Sequence, residues 1–160
     1  MHKILGALVL AVLAAGTAAA SDKSDVVGVL HQFTDAFNKG DMKSALAICA
    51  DVTAVIDDFP PHEWHGAGAC SRWSSDLDAF DKANEITAGF VTLGKPRHID
   101  IKADHAYVVV PVSYAFTTKS KPMKQSGSIL TAVLQKGASG WRVTAWSWSD
   151  GTQTEVKPGA

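Results

Sequence analysis

The chain has 160 residues, of which 46% are apolar and 19% are charged. This length suits one domain, and the apolar content excludes intrinsic disorder. The 15 Lys and Arg nearly balance the 16 Asp and Glu, which gives a formal net charge of −1. A nearly neutral chain with no basic stripe argues against nucleic-acid binding, and we expect no nucleic-acid partner.

The first twenty residues have the pattern of a secretory signal peptide. An aliphatic, uncharged run over 4–15 follows a short positive start, and Ala18 and Ala20 form a small-residue cleavage pattern before Ser21. The alternative is a retained membrane anchor, but the run is too short to span a bilayer comfortably. We predict cleavage of residues 1–20, export to the periplasm or the medium, and no stable membrane insertion of the mature chain.

Export changes the interpretation of the two cysteines, Cys49 and Cys70. In an oxidising compartment, two cysteines in a small domain are candidates for a disulfide. The alternative is a pair of unreactive buried thiols. We predict the disulfide.

Three helices are predicted in the mature chain. Asp22 or Ser24 caps the first, whose apolar residues recur at spacings of three and four, and Gly40 ends it. Asp41 caps a short second helix. A third helix occupies about 70–84, with its apolar residues again on one face.

From residue 86 onward apolar residues recur at every second position, which is typical of β-strands. Two of these strands are apolar on both faces, at 107–112 and 129–134, so both faces need cover. The helices can cover one face, and we predict that a second copy of the chain covers the other in a homodimer. The predicted strands are 54–56, 87–101, 105–118, 124–136 and 140–149.

The order of these elements predicts an α+β fold in which helices precede a set of long antiparallel strands. We expect one domain over 21–150 and a flexible tail over 151–160.

Four short motifs carry a family resemblance. In this order and spacing the chain resembles the nuclear transport factor 2-like superfamily, in its SnoaL-like and ketosteroid-isomerase-like branch, over about residues 24–150. The resemblance implies a cone-shaped, curved antiparallel sheet wrapped around the three N-terminal helices, with an apolar pocket inside and frequent dimerisation. The motifs are Phe37-Asn38-Lys39-Gly40-Asp41, Cys49-Ala50-Asp51, His65-Gly66 and Gly140-Trp141-Arg142-Val143.

Asp57 is the best candidate for a catalytic group. The resemblance places it where ketosteroid isomerases have a general-base aspartate at the end of the first strand. A carboxylate beside an apolar pocket is a better base, because burial disfavours its charged form. Phe33 stands where the resemblance implies a proton-donating tyrosine, and 125–135 contains no acidic residue, so steroid isomerisation is not expected. The alternative is that Asp57 and Asp58 only hold a turn.

Two histidines, His65 and His98, are candidate acid–base partners of Asp57 if their side chains point into the pocket. The segment His62-Glu63-Trp64-His65 lacks the H-E-x-x-H spacing that places two imidazoles on one face of a helix. We therefore expect no metal, and no sequence motif indicates a cofactor.

Aromatic side chains are the candidate pocket lining, although packing alone also explains their number. Strand alternation puts Trp146 and Trp148 on one face of the last strand and Trp141 on the other, and leaves open which face lines the cone. The candidates are Phe33, Phe37, Trp64, Trp73, Tyr114, Trp146 and Trp148.

These features favour an exported protein that binds a small apolar or aromatic molecule. One alternative is an acid–base enzyme of isomerase, dehydratase or cyclase type that uses Asp57 with a pocket histidine. Another is a structural dimerisation domain whose cone is filled by side chains. A cavity that reaches Asp57 would exclude the filled cone, and a histidine beside Asp57 would favour the enzyme.

Overall fold

Three helices and eight strands occupy residues 9–157, the part of the chain that the computed structural model describes, with side chains described from residue 22 onward. The elements are α1 (Val9–Asn38), α2 (Met42–Leu46), β1 (Cys49–Ile56), β2 (Glu63–Ala67), α3 (Ala69–Ala83), β3 (Ile86–Leu93), β4 (His98–Lys102), β5 (His105–Thr118), β6 (Lys121–Gly137), β7 (Gly140–Trp148) and β8 (Thr152–Glu155).

All eight strands belong to one curved, open sheet. Its order is β2-β1-β7-β6-β5-β3, with β4 also paired to β5 and β8 to β6. β1 and β7 run parallel, and every other pair is antiparallel. The α+β fold with a curved sheet around three helices is therefore confirmed.

One half of the interior is an aliphatic cluster between α1 and the long strands. Strand alternation turns Val108 and Val110 of β5, with Leu134 of β6, toward α1, whose Val26 and Leu30 meet them. The cluster consists of Val26, Leu30, Ile48, Ala106, Val108, Val110, Val112, Leu130, Ala132, Leu134, Trp141 and Val143, all buried.

The other half is an aromatic cluster between α3 and β1, made of Val55, Phe59, Trp64, Ala69, Cys70 and Trp73. Cys49 begins β1 and Cys70 lies in the first turn of α3, and the two form a disulfide with an S–S distance of 2.10 Å. The predicted disulfide is therefore confirmed in the structure, and it links α3 to the sheet.

The end of α1 is attached to β3 by one side chain. The Asn38 amide donates to the carbonyl oxygen of Val91 at 2.8 Å and accepts from its N–H at 2.7 Å, as a neighbouring strand would. Gly40 follows with a φ of 73°, and the Asp41 carboxylate caps α2 by accepting from the N–H of Ser44 at 3.0 Å. These two turn predictions are confirmed.

The start of α1 differs from the prediction. The helix runs past Asp22 and Ser24 without a break, so neither caps it, and the Asp22 carboxylate instead accepts from Lys136 at 2.6 Å. The predicted signal peptide, residues 1–20, lies outside the residues whose side chains are described. Within the described range no helix is long and apolar enough to cross a membrane.

The predicted strand 87–101 is two strands, β3 and β4, which both pair with β5. The regular ladder stops between Leu93 and His98: Gly94 and Arg97 still donate to the carbonyl oxygens of Pro111 and Val109, but Pro96 has no N–H to donate. Gly94 lies close against Pro111 of β5, and a side chain there would crowd its carbonyl oxygen. The break moves β4 along β5 to pair with residues 105–109.

Two short strands were not predicted. β2 occupies part of the expected loop after β1, and β8 occupies residues 152–155 of the expected flexible tail. β8 forms because β6 is 17 residues long and extends beyond its pairing with β7. Residues 123–126 of β6 then offer free backbone groups, and β8 pairs with them.

Candidate functional site

A cavity of about 180 Å³ lies on the inner side of the sheet, between the aliphatic and aromatic clusters. A cavity of about 150 Å³ is enough for a benzene ring, so the space suits a molecule of one or two small rings. The cone is therefore not filled by side chains. Aromatic rings dominate the walls: Phe33, Phe37, Phe59, Trp73, Phe80, Tyr114, Phe116, Trp146 and Trp148.

Six of the seven predicted lining residues reach the cavity, and Trp64 does not. Trp64 packs in the aromatic cluster against Phe59, with ring centroids 5.1 Å apart. Its indole N–H donates to Asp76 of α3 at 2.7 Å. Trp64 therefore holds β2 to α3 and has a packing role.

β7 turns all its tryptophans inward, which differs from the predicted division between two faces. A β-bulge at Thr144 inserts one residue opposite β6, between Val143 and Ala145. Side chains alternate on a strand, so one inserted residue reverses the faces beyond it. Trp141 therefore lies in the aliphatic cluster, and Trp146 lines the cavity from the same side of the sheet.

Asp57 follows β1 directly, and its carboxylate lines the cavity. The indole N–H of Trp73 donates to one oxygen at 2.7 Å, and the N–H of Asp58 donates to the other at 2.8 Å. Burial raises the pKa of Asp57 to about 7, although the bond from Trp73 acts in the opposite direction. Asp57 is thus a buried carboxyl group that can exchange a proton near neutral pH.

Asp58 also lines the cavity, in a network that sequence reasoning missed. The Gln125 side-chain amide donates to Asp58 at 2.6 Å and to Asp150 at 2.8 Å. Trp148 fixes the orientation of this amide by donating to its oxygen at 3.1 Å. Asp58 is therefore more than a turn residue.

The inward position of Gln125 depends on a second bulge, in β6 opposite β5. Ser128 pairs with Val112 and Gln125 with Tyr114, so β6 has one extra residue there. Gly127 adopts a φ of 85° at this bulge. Asp150 had an available signal, because it continues the alternation of Trp146 and Trp148 past the end of β7.

Asp81 is a third acidic lining residue that was not predicted. It lies four residues after Leu77 and eight after Trp73, so it shares their face of α3, which is a signal that the sequence contained. Burial raises the pKa of Asp81 to about 6, and the negative charge of Asp78 raises it further.

Tyr114 brings a hydroxyl group to the cavity from β5. Burial raises its pKa, and the charges of Asp81, Asp58 and Asp57 add to this effect, so its proton stays on at neutral pH. The hydroxyl lies over Gly89 of β3, where any side chain would collide with it. None of the described residues forms a hydrogen bond with the hydroxyl, which leaves it free to donate to a bound molecule.

His65 and His98 do not reach the cavity, so their predicted partnership with Asp57 is wrong. β2 alternation turns Trp64 inward and His65 outward, where the His65 side chain is 58% exposed and contacts Glu63 at 3.2 Å. β4 alternation turns Ile99 inward and His98 to the outer surface. Among the described residues no group of three or more potential ligands could hold a metal ion.

Solved structures share this fold at low sequence identity. A type 3 hexachlorocyclohexane dehydrochlorinase from Novosphingobium barchaimii LL02 is similar with a TM-score of 0.72 and 8% identity, covering 87% of this chain and 92% of its own. A nuclear transport factor 2-like protein with a cystatin-like fold from Novosphingobium aromaticivorans has a TM-score of 0.70 and 14% identity, covering 91% and 92%. A nuclear transport factor 2-like superfamily protein from Salmonella enterica serovar Typhimurium LT2 has a TM-score of 0.69 and 14% identity, covering 89% and 99%.

At these identities the likeness shows the fold alone. No curated protein matches the sequence significantly. The SnoaL-like domain family matches residues 26–151, which is most of the chain and includes nearly every lining residue of the cavity. The chain therefore belongs to the SnoaL-like domain family, and it shares the fold of nuclear transport factor 2-like proteins.

Proposed function

We propose that the protein binds a small apolar or aromatic molecule in the cavity. The observation that carries this proposal is the open space of about 180 Å³ inside the cone, enclosed mainly by aromatic rings. Ligand sites are typically apolar concavities with a few convergent polar groups, and this cavity has both. Burying a ring against these walls would add dispersion contacts that the empty space lacks.

Binding can be followed through tryptophan fluorescence, because Trp73, Trp146 and Trp148 line the cavity. We would titrate one- and two-ring compounds and measure fluorescence and melting temperature. The variant Leu130→Phe places a larger side chain on the cavity wall and should weaken binding at least tenfold. The matched control is Val52→Phe, at a residue that is 65% exposed on β1.

Loss of binding in Leu130→Phe with a folded protein, together with normal binding in Val52→Phe, supports the proposal. Equal affinity in both variants would contradict it. A melting curve for each variant separates a blocked cavity from a protein that fails to fold.

A second candidate function is proton transfer on the bound molecule. It is favoured by the position of Asp57, a buried carboxyl group with a pKa of about 7 beside the cavity. Near pH 7 such a group can take a proton from a carbon next to a carbonyl group. The protonated hydroxyl of Tyr114 could donate to the oxygen of the same molecule.

Hydrogen–deuterium exchange tests proton transfer without knowledge of the natural substrate. Small aromatic ketones that bind would be incubated with the protein in D₂O, and loss of their α-proton signals followed by NMR. Asp57→Asn should lower the exchange rate by about 10²–10⁴ while the ketones still bind. The control Asp100→Asn, on exposed β4, makes the same charge change away from the cavity. Exchange at the buffer rate in the unmodified protein would contradict this candidate function.

We also propose that the protein forms a homodimer through the outer face of the sheet. Val109, Pro111, Ile129 and Val133 lie on this face and are only partly buried, which supports a covering partner. Sedimentation at micromolar concentration should give twice the chain mass, and Val133→Lys should reduce it to the single mass. A monomer in the unmodified protein would contradict the proposal.

Export rests on the N-terminal pattern and is consistent with the disulfide. Intact mass of the protein from its native host should correspond to a chain that begins at Ser21. A mature chain that retains residues 1–20 would contradict export by this route.

A further inference from the structure

We propose that the ligand of this cavity carries a positively charged amine: a compact ammonium group attached to a ring or a short apolar body. This inference rests on the proposed binding function and adds the charge of the ligand. It is based on the charged groups that the cavity brings together, on the aromatic walls and on one acidic side chain that accepts no hydrogen bond from the residues that the structure describes.

The charges around the cavity all have one sign. Among the described residues the cavity is lined by four aspartates and by no lysine, arginine or histidine. Lys82, next to Asp81 in the sequence, forms an ion pair with Asp78 at 2.6 Å on the exposed side of α3. The aspartates that line the cavity are Asp57, Asp58, Asp81 and Asp150.

The four carboxylates differ in how far the protein satisfies them. Asp58 and Asp150 accept hydrogen bonds from Gln125, and Asp57 accepts from Trp73 and a backbone N–H. Asp81 accepts no hydrogen bond from any described residue, although it is partly buried. A half-buried carboxylate without a donor is costly unless it is protonated or paired with a cation.

Among the described residues, the groups that donate hydrogen bonds to these carboxylates are all neutral. These donors orient the carboxylates but leave their negative charge in place. They include the indole of Trp73 and the amide of Gln125, which the indole of Trp148 orients in turn. A ligand ammonium supplies three N–H donors and the missing positive charge. Burial, with the charge of Asp58 beside Asp57 and of Asp78 beside Asp81, raises the pKa of these two carboxyl groups to about 7 and about 6. Below about pH 7, binding of a cation would therefore release protons.

The aromatic walls suit the same ligand. Trp73 and Trp146 meet edge to face with centroids 5.1 Å apart, and Phe33 packs against both. The faces of such rings attract cations, most strongly when water is excluded. A neutral ring would gain only apolar contacts from these walls and would leave Asp81 unpaired. An anion would meet four carboxylates.

Three compounds of nearly equal shape test the inference: benzylammonium, benzyl alcohol and benzoate, titrated at about pH 6.5, where Asp57 and Asp81 still hold protons, by calorimetry and tryptophan fluorescence. We expect benzylammonium to bind about tenfold more tightly than benzyl alcohol, and benzoate to bind most weakly. Calorimetry in two buffers of different ionisation enthalpy should also show proton release with the ammonium only.

The variant Asp81→Asn should lower the ratio of ammonium to alcohol affinity by about tenfold. Asp100→Asn makes the same charge change on exposed β4 and should leave the ratio unchanged. A ratio lowered equally in both variants would mean that overall charge decides, and this would overturn the inference.

Two further outcomes separate this inference from the proposed function. If the alcohol binds as tightly as the ammonium, the cavity is a ligand site but the preference for an amine is wrong. If none of the three compounds binds, and none of the one- and two-ring compounds does, the proposed binding function itself fails.

Discussion

The two halves of the interior differ in what they are made of and in what they leave open. The aliphatic cluster is built from branched side chains of α1, β5 and β6, and its residues Val26, Val108 and Leu134 have no exposed surface at all. The aromatic cluster lies beneath α3 and adjoins the cavity and its four aspartates. Branched side chains on regular strands interdigitate closely, whereas large flat rings around an acidic group leave space.

This difference indicates that the aliphatic half stabilises the fold and the aromatic half holds the candidate functional groups. The aliphatic half buries apolar area with one polar side-chain atom among its cluster residues, the indole nitrogen of Trp141, so it mainly contributes stability. The aromatic half contains Asp57 with its burial-raised pKa, and Asp81, which accepts no hydrogen bond from the part of the chain that the structure describes. Groups of this kind lower stability and are typical of functional sites.

The largest expected change in the free energy of unfolding comes from a substitution in the aliphatic half. Leu134→Ala removes a fully buried side chain and should lower the free energy of unfolding by about 2–5 kcal/mol, without changing the cavity lining. Urea denaturation measures this change. Gln135→Ala, at the next and exposed residue, should change stability by less than about 0.5 kcal/mol. Equal effects at the two positions would mean that the aliphatic half does not dominate stability.

The next largest effect is the dependence of stability on pH, which arises in the aromatic half. Asp57 has a pKa of about 7 in the folded protein and 3.8 as the reference value. The folded state therefore holds a proton that the unfolded state releases as pH rises from about 4 to 7, and Asp57 lowers stability across this window. A pKa difference of about three units lowers the free energy of unfolding by at most about 4 kcal/mol.

Asp57→Asn resembles the protonated group and should remove this contribution. The variant should be about as stable as the unmodified protein at pH 4 and more stable at pH 8, as measured by melting temperature. Asp100→Asn serves as the control. Carboxylates with lowered pKa, such as Asp41, also make stability depend on pH, but they do so equally in the variant and in the unmodified protein. Only the difference in melting temperature between the two proteins therefore reports on Asp57. A difference independent of pH would contradict the raised pKa.

A third effect concerns the link between α3 and the sheet. The bond between Cys49 and Cys70 closes a loop that carries Asp57 and Phe59. In the double variant Cys49→Ser with Cys70→Ser, the free energy of unfolding should fall by about 3 kcal/mol. Its urea denaturation curve should not change when a reductant is added. The unmodified protein should lose a similar amount when reduced. No loss in either case would mean that the packing of α3 alone positions the aromatic half.

The smallest effect tests one hydrogen bond. Trp73→Phe keeps a ring in the cavity wall but removes the N–H that donates to Asp57. The pKa of Asp57 should then rise further, and stability at pH 8 should fall by about 1–2 kcal/mol. NMR titration of the Asp57 carboxyl carbon measures the pKa. Trp64→Phe removes a donor to Asp76 outside the cavity and should leave the pKa of Asp57 unchanged.

Local patterns in the sequence predicted most of the fold. The end of α1 at Gly40, the cap at Asp41 and the bounds of β5 each depend on a few neighbouring residues, because backbone conformation is decided over short distances. The position of Asp57 beside the pocket came from the family resemblance. The strand break near Pro96 could have been found from the proline itself.

The composition of the site could be predicted only in part. Six aromatic lining residues were named, because bulky apolar rings are rarely left in water. Asp81 and Asp150 were overlooked although their spacing put them on the same faces as those rings. His98 was misplaced because the sequence does not state which of two alternating residues in β4 faces inward, and His65 because β2 was expected to be a loop.

The sequence by itself determined the three helices and the long strands β5, β6 and β7, the pairing of two cysteines and the aromatic and acidic residue types that this protein places around its cavity. Only the tertiary structure decided which of those residues meet. The physical reason lies in the sheet: single extra residues at Gly127 and Thr144 reverse the faces of β6 and β7. These reversals bring Gln125 inward to meet Asp58, 67 residues away in the chain, and bring Trp148 inward to donate to Gln125.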